Sequence, residues 1–327
     1  MIRIRQATDA DTSHIREVFV ATYGDDYAYS EFYEEPYLKK LIYSDDTLML
    51  VAEEPKSGRV VGTASVVLES GAYTDLVGEF GRLAVHPDYW GQNIGSLLLE
   101  ERLNRVGNRL HVGFMEARVS HPHSLKNGLR HGFAAVGFLP LKLRFGDERE
   151  NAAWLVKYFG EALDLRRNHP RIIPEAYRLA GLALDEVGLE RDFIVDEKAA
   201  PYPHGGDYEL QELTETGYSS LLRIERGRLR NREVFGPLRL HYGFFRLRAE
   251  RSNYLIARSE GHIAGGIGFT LDREENIARI FELICLEDHT VRLLLKELER
   301  KCREEYDICY VEIDVNAHSP RMQRTLL

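Results

Sequence analysis

The chain has 327 residues, 44% of them hydrophobic and 29% charged, long enough for two globular domains with separate cores. A formal net charge of −9 argues against a nucleic-acid-binding surface over most of the protein, and no apolar run reaches the roughly 18 to 20 residues of a membrane span. Three cysteines, Cys285, Cys302 and Cys309, with no CxxC pair and no secretory leader, point to a cytoplasmic protein with buried thiols and no structural zinc.

Ile2 to Arg5 alternates as a strand, and Thr8 to Ala21, with acids at its start followed by Ile15, Val18 and Phe19, predicts a helix. The next stretch, Gly24 to Asp46, carries seven acids against two lysines, with Tyr27, Tyr29, Tyr33, Tyr37 and Tyr43 interleaved. It reads either as an amphipathic segment that packs its tyrosines or as a face that draws a cationic amine through charge and cation–π contact. Leu48 to Ala52 and Val60 to Leu68 form a hairpin about Lys56, Ser57 and Gly58.

The segment Gly81 to Leu99, GRLAVHPDYWGQNIGSLLL, then reads as a strand feeding a glycine-bearing turn that opens an apolar helix. Leu83, Ala84 and Val85 supply the strand and Pro87 stops it. Gly91 and Gly95 let the backbone approach a ligand, and Ile94, Leu97 and Leu98 form a buried stripe. A helix start leaves N–H groups unpaired and adds the positive end of the dipole, so the turn can hold a pyrophosphate through main-chain donors. The plain alternative is a strand-to-helix turn with no ligand. After the helix Ile94 to Val106 come a strand from Val112 to Val119, a helix from Pro122 to Arg130, Gly132-Phe133, and strands Phe138 to Phe145 and Ala153 to Tyr158. His121 and His123 have no carboxylate or cysteine beside them and read as solvent-facing imidazoles of a helix-entry loop, so no metal is expected.

Residues 159–206 form a connector. Pro174 opens a helix through Leu184 with Ala176, Leu179, Ala180 and Ala183 as its packed face, Phe193 to Val195 is a short strand, and KAAPYPHGG at Lys198 to Gly206 has linker composition. Residues 207–327 read as a weak internal repeat of 1–158. Tyr208 to Thr214 gives a strand, Tyr218 to Arg226 a helix, Tyr254 to Ala257 with His262 to Thr270 a hairpin, and Ile280 to Cys285 a strand before the stripe Val291, Leu294, Leu295, Leu298. MEARVSHPHS at Met115 to Ser124 is echoed by VEIDVNAHS at Val311 to Ser319. The intervening LEDHT has no glycine and two acids, which would repel a pyrophosphate. Arg223 to Arg248 carries eight arginines against two glutamates. This is either a basic face that docks on the acidic stretch, within the chain or across a homodimer, or an exposed helix balanced by its neighbours. The sequence stops inside the last helix of the repeat, so the second copy is expected to be incomplete at its C-terminus.

At Gly81 to Leu99 the chain resembles the GNAT superfamily of N-acetyltransferases, whose coenzyme A loop runs Arg/Gln, two residues, Gly, one residue, Gly/Ala. Trp90, Asn93 and Gly95 stand in that frame here, and asparagine is the residue after glycine that best tolerates a left-handed backbone. The resemblance covers residues 1–158 well and 207–327 modestly. It implies an α/β (α+β) fold, a mixed and mostly antiparallel sheet flanked by helices, present twice, with the strands beside the loop splayed around a pantetheine arm. It implies acetyl-CoA as cosubstrate, without metal, held by Leu83, Ala84, Val85, Gly91, Gln92, Asn93, Ile94, Gly95 and Ser96, with the N–H groups of Leu83 to Val85 polarising the thioester.

Glu79, five residues before Ala84, takes the place where several GNAT enzymes carry their base; the alternative is an edge-strand carboxylate facing solvent. The tyrosine acid of many GNAT enzymes, four residues before Gly-Phe, is Gly128 here, which leaves Ser124, His123, a tyrosine of the 24–46 stretch or water as donor. That stretch covers the acceptor mouth in GNAT folds, which assigns Tyr27, Tyr29 and Tyr33 to the acceptor. The expectation is an N-acetyltransferase acting by direct attack, in a ternary complex, on the primary amine of a cationic small molecule or peptide. No nucleic acid or membrane partner is expected, and a homodimer or tight interdomain packing is. The rival reading is a non-enzymatic acyl-CoA-binding regulator or scaffold.

Overall fold

A computed structural model describes residues 2–27, 29–69, 77–213, 232–234 and 252–327, in two units: Met1–Arg166 with Gly181–Glu190, and Arg167–Ala180 with Arg191–Leu327. The first unit is built on seven strands: β1 (Arg3–Gln6), β2 (Thr47–Glu54), β3 (Arg59–Glu69), β4 (Val77–Val85), β5 (Val112–Arg118), β6 (Ala134–Phe145) and β7 (Glu148–Tyr158). Their order is β1-β2-β3-β4-β5-β7-β6. Every neighbouring pair is antiparallel except β4 with β5.

Alternate residues of a strand face opposite sides, and in β2 both sides are apolar. Met49 and Val51 meet Ile15, Phe19 and Leu38 of α1 (Thr12–Tyr23) and α2 (Glu35–Ile42). Leu50 and Ala52 meet Ile94 and Leu98 of α3 (Ile94–Val106). Further along the second face, Phe80, Met115 and Leu155 pack with Leu99, Val106 and Phe133, under α3 and α4 (His123–Arg130). The stripe of α3 differs from the expected one: Leu97 is half-buried, whereas Leu99 and Arg102 are buried.

Entry into α1 is fixed by Asp11. Its carboxylate accepts from both guanidinium Nη atoms of Arg5, at 2.7 and 2.8 Å, and from the amide and hydroxyl of Thr8, at 2.8 and 2.9 Å. Burial pushes the Asp11 carboxyl up, but Arg5 and Thr8 outweigh it and hold the group below the ordinary aspartate value.

The second unit begins with a short parallel pair, β8 (Arg171–Ile172) and β9 (Ile194–Val195). The division between units falls inside α5 (Tyr177–Glu186), where Gly181 is buried; Leu179, expected on the packed face, is 73% exposed. The second sheet holds β10 (Glu209–Leu213), β11 (Arg232–Val234), β12 (Ser252–Ser259), β13 (His262–Asp272), β14 (Ile277–Cys285) and β15 (Tyr310–Ile313). Its order is β10-β12-β13-β14-β11, with β15 pairing β14 in parallel. α6 (His289–Glu304) lays Val291, Leu294, Leu298 and Cys302 on Ile267, Phe269, Leu283 and Cys285, and Met322 of α7 (Pro320–Thr325) joins that core.

The helix expected over Tyr218 to Arg226 lies outside the described residues, as does the arginine-rich stretch apart from the backbone of β11. Cys285 and Cys302 are buried as expected, Cys309 is at the surface, and none forms a disulfide. Among the described residues no helix is long and apolar enough to cross a membrane.

Replacing Asp11 with alanine leaves Arg5 and Thr8 without their shared acceptor and is expected to cost about 1–3 kcal/mol in urea unfolding at pH 7. Because the folded carboxyl titrates below its unfolded value, this stability is present above about pH 4 and is lost as pH falls through the depressed folded value. The difference between Asp11→Ala and the parent protein therefore shrinks in melts below about pH 3.

Candidate active site

β4 and β5 are hydrogen-bonded over three residue pairs only, Val77 with Val112, Gly78 with Gly113 and Glu79 with Phe114. Beyond Glu79 the strand β5 follows β7, pairing with it from Val112 to Arg118. β4 meanwhile bulges: Ser65 faces Gly81 and Thr63 faces Ala84, so Arg82 and Leu83 together stand opposite Ala64. Arg82 takes φ 53°, in the left-handed region that costs a side-chain-bearing residue free energy. The far end of β4 thus parts from β5, as the resemblance implies for the pantetheine gap.

Side chains take the carbonyls on this open edge. The Tyr23 hydroxyl donates to Leu83 O at 3.1 Å, and Thr22 Oγ1 and Trp90 Nε1 donate to Val85 O at 3.2 and 2.7 Å. A strand residue turns its N–H and C=O to the same edge, so the Val85 amide also faces the opening. On the second face of the sheet, fully buried Arg102 donates from Nη1 to Ser65 O at 3.0 Å and Gly81 O at 3.3 Å, the residues that flank the bulge.

The turn into α3 is left-handed twice. Gly91 has φ 77°, and Asn93, the N-cap residue, has φ 60° and ψ 16°. The Asn93 side chain makes no capping bond, and Asn93 O accepts from Ser96 N and Leu97 N, both at 3.1 Å. The amides of Ile94 and Gly95 precede the first intrahelical bond. A Cβ on Gly95 would meet only Leu83 Cδ2, at 3.6 Å. Among the described residues nothing lies within 4 Å of a Cβ built on Gly91, and these donors fit an anionic phosphate. Gln92 is exposed here, and Ser96, one turn in, lies 3.3 Å from His131 Nε2.

Glu79 and the expected acceptor tyrosines meet through a residue the sequence reading did not single out. Glu79 Oε2 accepts from Arg82 Nη2 at 3.1 Å, and the Arg82 guanidinium lies 5.9 Å from the Tyr29 ring centroid. Burial works against the charge on Arg82, and Glu79, Tyr27 and Tyr29 more than offset it. Gly81 makes room for this fold-back: a Cβ there would stand 3.0 Å from Glu79 Oε1. Tyr27 packs on Phe19 and Tyr23, with centroids 4.8 Å apart in both cases, and its amide donates to the Tyr33 hydroxyl at 3.1 Å. Tyr27, Tyr29 and Tyr33 all lean on the core of α1 and α2.

A wall of β5, β6 and β7 faces Tyr23. Arg118 clamps Glu150 with two hydrogen bonds of 2.8 and 2.5 Å and lies 3.8 Å over the Phe145 ring, whose centroid is 6.4 Å from that of Tyr23. Arg118, and after it the Ser120 hydroxyl, holds the Glu150 carboxyl below its usual value. Ser124 stands half-buried on the first turn of α4, which packs on the Met115 and Leu155 face. Gly128 is buried there, and a Cβ would come 2.7 Å from Met115 Sδ and 2.9 Å from Leu155 Cδ2. His121 and His123 are exposed, and no metal-holding cluster occurs among the described residues. A surface cavity of about 450 Å³, lined by Tyr43, Asp45, Arg105 and Arg109 among others, opens at the opposite end of α3 and contains none of these groups.

Residues 45–133 match the acetyltransferase (GNAT) domain. The match runs from just before β2 through α4 and takes in β4, the left-handed turn and β5. No curated protein matches the chain. Three similar solved structures are a putative phosphinothricin N-acetyltransferase, the putative acetyltransferase yncA from Salmonella typhimurium with acetyl-CoA, and mutant forms of the spermidine/spermine N-acetyltransferase SpeG from Vibrio cholerae. Their identities are 21, 19 and 16%, with TM-scores of 0.43, 0.42 and 0.41. The shared regions cover 49, 49 and 51% of this chain and 100, 95 and 100% of those chains.

The packing at Gly128 means that Gly128→Tyr will not restore a tyrosine acid. It is expected to lower stability by about 1–3 kcal/mol or more through overpacking against Met115 and Leu155, read as a lower urea midpoint with an unchanged slope.

Proposed function

We propose that the chain is an acetyl-CoA-dependent N-acetyltransferase acting on a primary amine, with its chemistry in residues 1–158. The observation that carries this reading is the parting of β4 from β5 directly before a helix start with left-handed Gly91 and Asn93. The pyrophosphate is assigned to the turn formed by Gly91, Gln92, Asn93, Ile94, Gly95 and Ser96, through the amides that precede the first intrahelical bond, and the pantetheine arm to the open edge of Leu83, Ala84 and Val85. Acyl transfer proceeds by direct attack. Glu79 takes a proton from the acceptor nitrogen, the nitrogen bonds to the thioester carbon, and the developing oxyanion is met by main-chain N–H groups of Leu83 to Val85. The C–S bond then breaks, and the thiolate is protonated by Ser124 or solvent. The acceptor enters between the Tyr27, Tyr29 and Tyr33 cluster and the Arg118 to Phe145 wall.

Residues 207–327 are proposed as a second, degenerate copy that binds no coenzyme, with 159–206 as connector. Support comes from the strand order β10-β12-β13-β14 with parallel β15, and from the turn after β14. There Glu287 accepts from Tyr208 at 2.8 Å and Asp288 from Arg321 at 2.6 Å, with no left-handed residue at the helix start. The packed Gly128 favours one second reading, a protein that binds acyl-CoA without transferring it.

Two variants test the coenzyme site and the transfer step in turn. Asn93→Val forces a β-branched residue into the left-handed turn at about 1–2 kcal/mol and should weaken acetyl-CoA binding about tenfold by calorimetry. Glu79→Gln should bind acetyl-CoA as the parent does and lose about a hundredfold or more in turnover across an amine panel. Binding with no turnover in the parent protein would favour the non-enzymatic reading.

A further inference from the structure

The charged groups around the proposed acceptor space differ in how far the protein itself matches them. Arg118 is held by Glu150, and Lys142 lies 3.9 Å from Glu116. Arg82 is only half matched. Its Nη2 donates to Glu79, whereas its Nη1 is buried with no hydrogen-bond partner among the described residues. The side chain is 15% exposed, so bulk solvent does not compensate it. Nor is Arg82 there by backbone preference, since it occupies a left-handed position at the bulge. A strained residue that presents an unsatisfied guanidinium nitrogen beside the proposed base points to an oxygen acceptor supplied from outside.

Resting on the reading of this site as the place of acetyl transfer, we propose that Nη1 of Arg82 binds a carboxylate of the acceptor, which is therefore a free α-amino acid. Glu79 Oε2 and Arg82 Nη2 are 3.1 Å apart, so a ligand that engages both side chains carries its two polar groups close together. An ammonium facing Glu79 and a carboxylate on the same carbon facing Arg82 meet that condition, and the planar guanidinium suits a carboxylate. Linear polyamines lack the anion, and a peptide N-terminus has an amide in its place.

The test uses the full chain with desulfo-CoA. A panel of L-amino acids, each beside its amide and its decarboxylated amine, is titrated by calorimetry, and acetylation is followed by thiol release with acetyl-CoA. The expected result is at least one amino acid that binds, and is acetylated at a kcat/KM, at least about tenfold above its amide, a difference of about 1.4 kcal/mol. Arg82→Gln should bring kcat/KM for that amino acid down to the level of its amide, mainly through KM, and Arg82→Lys should recover part of the preference. Should Arg82→Gln fail to fold, Arg82→Lys alone still reads the loss of the two-pronged contact. Equal or better use of amides or polyamines, or a carboxylate preference unchanged in both variants, overturns the inference. Arg82-dependent amino-acid binding without turnover would uphold it and overturn acetyl transfer. Desulfo-CoA binding with no amino acid bound would overturn the inference and leave the coenzyme site standing.

Discussion

The guanidinium of Arg102 sits fully buried beneath the β4 bulge and ties Ser65 O to Gly81 O. Burial and the nearby charge of Arg82 both push its pKa down, to about 9. The carbonyl dipoles it holds and the Phe80 ring 5.5 Å away favour the charged form. The strand it anchors has one residue too many for its partner. That surplus throws Arg82 back toward Glu79 and turns the far end of β4 away from β5. The proposed base, the proposed acceptor anchor and the open edge thus meet at one irregularity in one strand.

The second sheet shows what a filled edge looks like. β14 and β15 pair in parallel over Ile277 to Ile280, and from Glu282 to Ile284 the antiparallel strand β11 takes the same strand further along. The turn that follows is closed by side chains: Thr290 Oγ1 donates to Glu287 O, Glu287 Oε1 lies 3.6 Å from His262 Nε2, and a Cβ on Gly265 would collide with Thr290. Two strands of similar order therefore end in opposite ways, one open toward donors and the other occupied by protein.

Much of this was legible in the residues, because hydrophobic period and turn chemistry are local. Asn93 and Gly91 announced a left-handed turn, and α3 spans the predicted Ile94 to Val106. The hairpin β2–β3 and the stripe Val291, Leu294, Leu298 followed from period alone. What escaped depends on contacts between distant residues. An arginine in a helical stripe reads as solvent-facing, yet Arg102 is buried because carbonyls 37 and 21 residues away need its N–H groups. The bulge at Arg82 has no residue signature, since arginine is a poor choice for its backbone. Thr22 and Tyr23 lie past the Ala21 end of the predicted helix, and nothing local in the sequence ties their hydroxyls to Val85 O and Leu83 O. The exposed Leu179 shows the opposite error, an apolar period on α5 taken for burial.

The most direct test of the account is amide hydrogen exchange in the 327-residue chain with and without desulfo-CoA. The account predicts ligand-dependent protection in two places together, the open edge around Leu83 to Val85 and the turn from Gly91 to Ser96, with little change around β14 and the start of α6. Protection confined to the second unit, or none at Gly91 to Ser96 under saturating ligand, would contradict it.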